Sequence, residues 1–120
     1  MMKILIADDS RAMRMIVTRT LRQAGFGGLD LIEAENGRDA LEKAKAESPD
    51  LILSDWNMPE MTGIDLLKNL RANGIGIPFC FVTSEGSQEM RDQASAAGAM
   101  GLIAKPFTAE AFSDALSSVV

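Results

Sequence analysis

The chain has 120 residues, about the size of one ordinary domain and long enough to bury a core, and its 47% hydrophobic and 24% charged residues lie in the globular range. Its 12 basic and 17 acidic side chains leave a formal charge of -5, which disfavours a broad basic footprint for nucleic acid. The absence of histidine removes Ser-His-Asp catalysis, Cys-His catalysis and imidazole-ligated zinc together, and a single cysteine leaves no internal disulfide.

The opening run Met1-Met2-Lys3-Ile4-Leu5-Ile6-Ala7 turns acidic at Asp8-Asp9, too early for a signal peptide, and no apolar stretch is long enough for a membrane span. A soluble, cytoplasmic protein is the expectation. Lys3 to Ala7 reads as a first strand; Ala12, Met13, Ile16, Val17, Leu21 and Ala24 then recur at helical spacing, with Gly25 where such a helix would end. A second strand is predicted from Leu29 to Ala34, followed by a helix through Ala40, Leu41 and Ala44 on which Lys43, Lys45 and Glu47 form a solvated face. A third strand, Leu51 to Ser54, precedes a helix through Ile64, Leu66, Leu67 and Leu70. The fourth strand, Phe79 to Thr83, makes Cys80 a buried and inert thiol. Met90, Ala94 and Ala97 then mark a helix, Gly101 to Ala104 a fifth strand, and Ala111, Phe112, Ala115, Leu116 and Val119 a last helix. Of the eight methionines, Met13, Met15, Met58 and Met61 read as core filler and loop packing, and Trp56 as a residue packed at the rim.

Nothing repeats and no Pro, Gly or Ser cluster is long enough to be a linker, so residues 1–120 read as one continuous domain. Short strands apolar on both faces, alternating with amphipathic helices, predict an α/β fold: a doubly wound, five-stranded parallel sheet flanked by helices. Such sheets place functional residues in the crevice beyond the carboxyl ends of their strands. There the first strand delivers Asp8-Asp9, the third Asp55, the fourth Thr83-Ser84 and the fifth Lys105-Pro106.

Three carboxylates brought together repel one another and raise some pKa values unless a cation compensates. With Lys105 counted, the formal excess is about two negative charges, a match for one divalent ion. Hard oxygen ligands suit Mg²⁺ or Mn²⁺, and Mg²⁺ held by a few carboxylates commonly completes its shell with water and phosphate. A carboxylate can attack phosphorus, in a transfer that needs positioning and charge neutralisation more than a strong base. On this reading Asp55 is the acceptor, the metal and Lys105 neutralise the phosphoryl oxygens, and the Thr83 hydroxyl donates to one of them. Singly, each residue has an ordinary reading, Asp9 as a helix cap and Thr83 as a β-branched strand residue among them; their place at successive strand ends carries the case.

The strings Asp8-Asp9, Ser54-Asp55-Trp56-Asn57-Met58-Pro59, Gly63, Thr83 and Lys105-Pro106-Phe107-Thr108 fall in the order found in receiver domains of two-component response regulators. The chain resembles that family over its whole length, and Gly63-Ile64-Asp65-Leu66-Leu67-Lys68 with the Lys-Pro-Phe-Thr string is most similar to the CheY-like chemotaxis receivers. The resemblance implies the flavodoxin-like receiver fold and phosphorylation of Asp55 by a histidine kinase, CheA-like in chemotaxis, or by small acyl phosphates. It implies Mg²⁺ contacted by Asp9, Asp55 and the main-chain carbonyl of Asn57, with Asp8 in the same pocket, and Asn57 and Glu85 as residues that tune the lifetime of the acyl phosphate. The domain would catalyse its own phosphorylation and dephosphorylation and turn over no external substrate.

Output would be partner binding at the face of the fourth helix, last strand and last helix, about Ser87 to Val120, by a monomer with no direct nucleic-acid or membrane contact. A flagellar motor switch protein or a phosphatase is the expected partner. Leu102 stands where the family usually has an aromatic residue, three positions before the lysine, so an aromatic rotamer switch is not expected. The competing readings are a phosphorelay intermediate that passes the group to a histidine protein, and a receiver-like interaction module that never reacts. A flavin carrier is disfavoured because Asp8-Asp9 would repel a flavin phosphate, and a phosphatase because Asn57 stands where a second acid is needed.

Overall fold

Each short apolar run pairs with its neighbours as a parallel strand, because buried backbone amides between helical layers find partners only along such a ladder. The computed structural model describes residues 2–117. The elements are β1 (Lys3–Ala7), α1 (Arg11–Gln23), β2 (Asp30–Ala34), α2 (Gly37–Glu47), β3 (Leu51–Ser54), α3 (Gly63–Ala72), β4 (Phe79–Thr83), α4 (Gln88–Ala96), β5 (Gly101–Ala104) and α5 (Ala109–Leu116). The strands lie in the order β2-β1-β3-β4-β5, all parallel, so the doubly wound five-stranded expectation holds. Both faces of the sheet are covered. On one, Leu5, Ile52, Phe79 and Phe81 pack with Ala40, Leu66, Leu67 and Leu70; on the other, Ile4, Ile6, Leu53 and Val82 pack with Val17, Leu21, Phe112 and Leu116. Among the described residues no helix is long and apolar enough to cross a membrane. Val119 and Val120, assigned above to the last helix and its face, lie outside the described residues.

Every helix begins on a side-chain cap: Ser10, Asn36, Thr62, Ser87 and Thr108 each accept the backbone N–H three residues on. Asp9 is therefore not the cap of α1, and its carboxylate is left to the rim. The inward face of α1 is also rotated from the predicted stripe. Met13, Val17, Thr20, Leu21 and Ala24 face the sheet, whereas Ala12 is exposed and Met15 and Ile16 are 56% and 42% exposed. Thr20 tolerates burial because its hydroxyl donates to the Ile16 carbonyl at 2.8 Å. Met58 packs in the core and Met61 against it, but Met15 does not. Trp56 is a core residue rather than a rim residue, 8% exposed, with its ring 4.6 Å from that of Phe81. Cys80 is buried, and desolvation pushes its thiol up to about 12, so the inert reading stands.

At the end of α2, Ser48 adopts the left-handed conformation, φ 46° and ψ 61°, that costs little only for glycine. Ser48→Gly is expected to raise stability by about 0.5–1 kcal/mol, read as a shift in the urea midpoint at unchanged slope. A midpoint at or below that of the parent would show that the serine is unstrained.

Candidate functional site

The sheet ladder continues one residue past the strands, and this sets the rim. The amide of Asp8 donates to Ala34 O (3.0 Å), that of Asp55 to Ala7 O (2.8 Å), and that of Lys105 to Thr83 O (2.8 Å). Asp8 and Asp55 therefore leave the adjacent strands β1 and β3 side by side, with the Lys105 side chain reaching across to them. Lys105 Nζ lies 3.1 Å from Asp8 Oδ2 and 3.5 Å from Asp55 Oδ2. Asp8, 4% exposed, accepts the Ser10 amide on its other oxygen at 2.9 Å, and Asp55 Oδ1 accepts the Trp56 amide at 2.7 Å. Asp9 is exposed, yet one carboxylate oxygen from each of Asp8, Asp9 and Asp55 falls within 4.8 Å of the others.

Burial is the largest influence on Asp55 and raises its pKa above the ordinary 3.8; Lys105 pulls it down, Asp8 raises it, and the Trp56 amide lowers it. The like-charge crowding anticipated from sequence is thus secondary to desolvation, because the Asp55 side chain is only 14% exposed. The donor set is all oxygen, with one wall held rigidly by Lys105 and the Ser10 amide and one carboxylate, Asp9, open to solvent. Three carboxylates against one ammonium, with an open side, fit a hard divalent cation that keeps water or takes a phosphoryl oxygen.

Thr83 is fully buried at the end of β4, its hydroxyl accepting the Glu85 amide at 3.3 Å. Asn57 and Glu85 are exposed on the loops after β3 and β4. Leu102 is half-buried against the α2–α4 side of the core, and its carbonyl accepts from Arg91 Nη1 at 3.3 Å. The Lys105-Pro106 peptide is cis.

Three supports escaped sequence reasoning. Ser54, fully buried, donates its hydroxyl to the Asp55 carbonyl at 2.8 Å. Gly63, quoted above only as part of the resemblance, begins α3 directly against that same carbonyl: a Cβ there would sit far inside van der Waals contact of Asp55 O and 3.0 Å from Phe81 Cε1, while its amide donates to Trp56 O at 2.7 Å. Arg14 reaches from α1 to the Asp8 carbonyl at 2.6 Å. A side chain that bonds main chain far away in sequence leaves no periodic signal, although the run Asp8-Asp9-Ser10 followed by a helix is itself a cap signature.

A family model described as response regulator receiver domain matches residues 4–117. The chain is similar to chemotaxis protein CheY-3 of Vibrio cholerae, 43% identical over 120 residues that cover 98% of this chain and 91% of that one. It is also 41% identical to chemotaxis protein CheY1 of Helicobacter pylori, with 99% and 97% of the two chains covered. The solved structure of the Vibrio cholerae chemotaxis response regulator CheY4 superposes with a TM-score of 0.86 at 38% identity, covering 100% of this chain and 99% of that one.

Proposed function

The chain belongs to the response regulator receiver domain family, and from that premise we propose that Asp55 is its phosphoryl acceptor and that phosphorylation switches binding to a chemotaxis partner. The observation that carries this reading is the convergence of Asp8, Asp9 and Asp55 within 4.8 Å beside Lys105, at the ends of adjacent parallel strands. Asp9, Asp55 and the main-chain carbonyl of Asn57 would hold Mg²⁺, or Mn²⁺ in its place, with Asp8 completing the acidic pocket. When bound, the ion neutralises charge on the phosphoryl oxygens.

A carboxylate oxygen of Asp55 forms the new bond to phosphorus as the bond from phosphorus to the donor's histidine nitrogen or acyl oxygen breaks, and the leaving group keeps that electron pair. The Lys105 ammonium, already 3.5 Å from Asp55, turns to the incoming oxygens and offsets their charge. The Thr83 hydroxyl accepts the Glu85 amide, which leaves its own proton to donate to the phosphoryl group and ties the pocket to the loop ahead of α4. Exposed Asn57 and Glu85 flank the approach of water and set how long the acyl phosphate survives.

Donor and reader are separate partners: a CheA-like histidine kinase supplies the group, and a flagellar motor switch protein or a phosphatase reads it at the face of α4, β5 and α5. An open groove of about 460 Å³ along β5 and α5, lined by Leu102, Phe107, Ala111 and Ala115 among others, supports that placement. With Leu102 at half burial in place of a ring, the change at Thr83 passes through the loop from β4 to α4.

Incubation with acetyl phosphate and Mg²⁺ is expected to add one phosphoryl group to the intact mass, and chelation of the metal to prevent it. A mass unchanged in both samples would leave a receiver-like interaction module that does not react.

A further inference from the structure

Arg14 is the one basic side chain, among the described residues, that grips the main chain of the acidic pair. From the first turn of α1 its Nη1 donates to the Asp8 carbonyl at 2.6 Å and its Nε to Glu33 Oε1 at 2.8 Å, with the arginine side chain 12% exposed. Glu33 anchors the far end on β2, where its own carbonyl accepts from Lys43 Nζ of α2. The Asp8 carbonyl belongs to the planar peptide that joins Asp8 to Asp9, so holding that oxygen also fixes the Asp9 amide and the Cα from which its side chain springs. Asp8 is held independently, by Ser10 and Lys105 on its carboxylate and by Ala34 on its amide. Asp9 is exposed, and the two peptides that flank it are held by Arg14 on the Asp8 carbonyl and by the Ser10 amide on Asp8 Oδ1.

We infer that Arg14 is a positioning residue for the cation pocket, turning the Asp8-Asp9 peptide so that Asp9 faces Asp55. The inference rests on the reading of the pocket as a divalent-cation site. Charge and geometry oppose each other here, which makes the role separable. A guanidinium beside a cation site repels the cation, so removing it should strengthen metal binding if charge were all it contributed. Loss of aim does the reverse, since removing a group that orients a metal ligand typically weakens affinity about 10–100-fold.

The test is calorimetric titration of Mg²⁺ into the metal-free parent, Arg14→Ala and Arg14→Lys, with amide hydrogen exchange at Asp9 and Ser10 recorded before metal is added. Arg14→Lys keeps the charge and most of the stem but loses the fork that spans Asp8 and Glu33, so it carries the test where the alanine variant fails to fold. Both variants are expected to bind Mg²⁺ about tenfold more weakly or worse, with faster exchange at Ser10, whose amide is bound to Asp8 Oδ1, while the core amides stay protected. Tighter binding by Arg14→Ala together with parental affinity in Arg14→Lys would reduce the arginine to its charge and overturn the inference. Parental affinity in both variants with a lowered melting temperature would reduce it to a brace for α1, and also overturn it. If the parent itself takes up no Mg²⁺, the cation reading falls and this inference with it.

Discussion

Asp55→Asn is expected to abolish phosphoryl uptake from acetyl phosphate and, at neutral pH, to leave a protein more stable than its parent. The first effect follows from chemistry, since an amide oxygen is a poor nucleophile toward phosphorus and the other carboxylates are placed differently: Asp8 is closed in by Lys105 and the Ser10 amide, and Asp9 is exposed. The second follows from the raised pKa of Asp55. Between the ordinary value of 3.8 and the raised folded value, the native chain binds more protons than the unfolded one, so stability falls as pH rises through that window and stays reduced above it.

Asparagine removes the ionised form and with it the cost of burying it, while Lys105 keeps Asp8 at 3.1 Å. Urea midpoints should therefore favour the variant at pH 7 and converge with the parent in acid, below the window. Mg²⁺ should close the gap from the other side: at a hundred times its dissociation constant it would stabilise the parent by about 2.7 kcal/mol and the variant by much less. A variant that still gains a phosphoryl group would move the acceptor to another carboxylate. One less stable than the parent at pH 7 would mean that the Lys105 attraction outweighs desolvation.

The strands were legible because burial on both faces leaves runs such as Leu51-Ile52-Leu53 with no polar alternation to misread. Only the second drifted: Leu29 packs against the core as the predicted strand residues do, but pairing begins at Asp30. The first helix was legible in position and, through Met13, Val17, Leu21 and Ala24, in most of its facing. Ala12, Met15 and Ile16 are apolar in a segment whose buried face includes a threonine, and an apolar count cannot know that the Thr20 hydroxyl is satisfied within its own helix.

Asp8 and Asp55 could be placed from sequence because each directly follows a strand, where the ladder extends one residue further, and Asp9 because it is the next residue. What holds them could not. Ser54, Gly63 and Arg14 all act on the carbonyl oxygens of Asp55 or Asp8, and a contact to backbone constrains size, reach or hydrogen bonding without marking residue type. Trp56 was misplaced for a related reason. Its neighbours in sequence are polar, and the ring that buries it, Phe81, sits two residues before the end of a different strand.

Gly63→Ala is expected to lose both stability and reactivity, since the space a methyl group would need is already taken by the main chain of Asp55. The added Cβ would lie inside van der Waals contact of Asp55 O, 3.1 Å from Asp55 C and 3.0 Å from Phe81 Cε1. None of these atoms is the tip of a flexible side chain. Asp55 O also accepts the Ser54 hydroxyl and Asp55 N donates to Ala7 O, so the residue that would have to yield is tied to β3 through its carbonyl and to β1 through its amide.

The remaining relief is to lift the start of α3, which stretches the 2.7 Å bond from Gly63 N to Trp56 O and opens the packing beneath Leu66, Leu67 and Leu70. Overpacking of this kind costs about 1–3 kcal/mol, and alanine's better helix propensity returns at most about 1 kcal/mol. Gly76→Ala is the matched control: a Cβ there meets nothing within 4 Å and the backbone is not left-handed, so its stability should stay within about 0.5 kcal/mol of the parent. If α3 lifts, it pulls on Trp56 through the Gly63 amide, and the Trp56 amide in turn holds Asp55 Oδ1 at 2.7 Å, so the rate of phosphorylation by acetyl phosphate at saturating Mg²⁺ should fall even under conditions where the variant is fully folded. Parental stability would mean that α3 slides freely on the sheet. Parental rate with lowered stability would mean that the helix moves and Asp55 does not, its main chain held by Ser54 and the β1 ladder and its carboxylate by the Trp56 amide and Lys105.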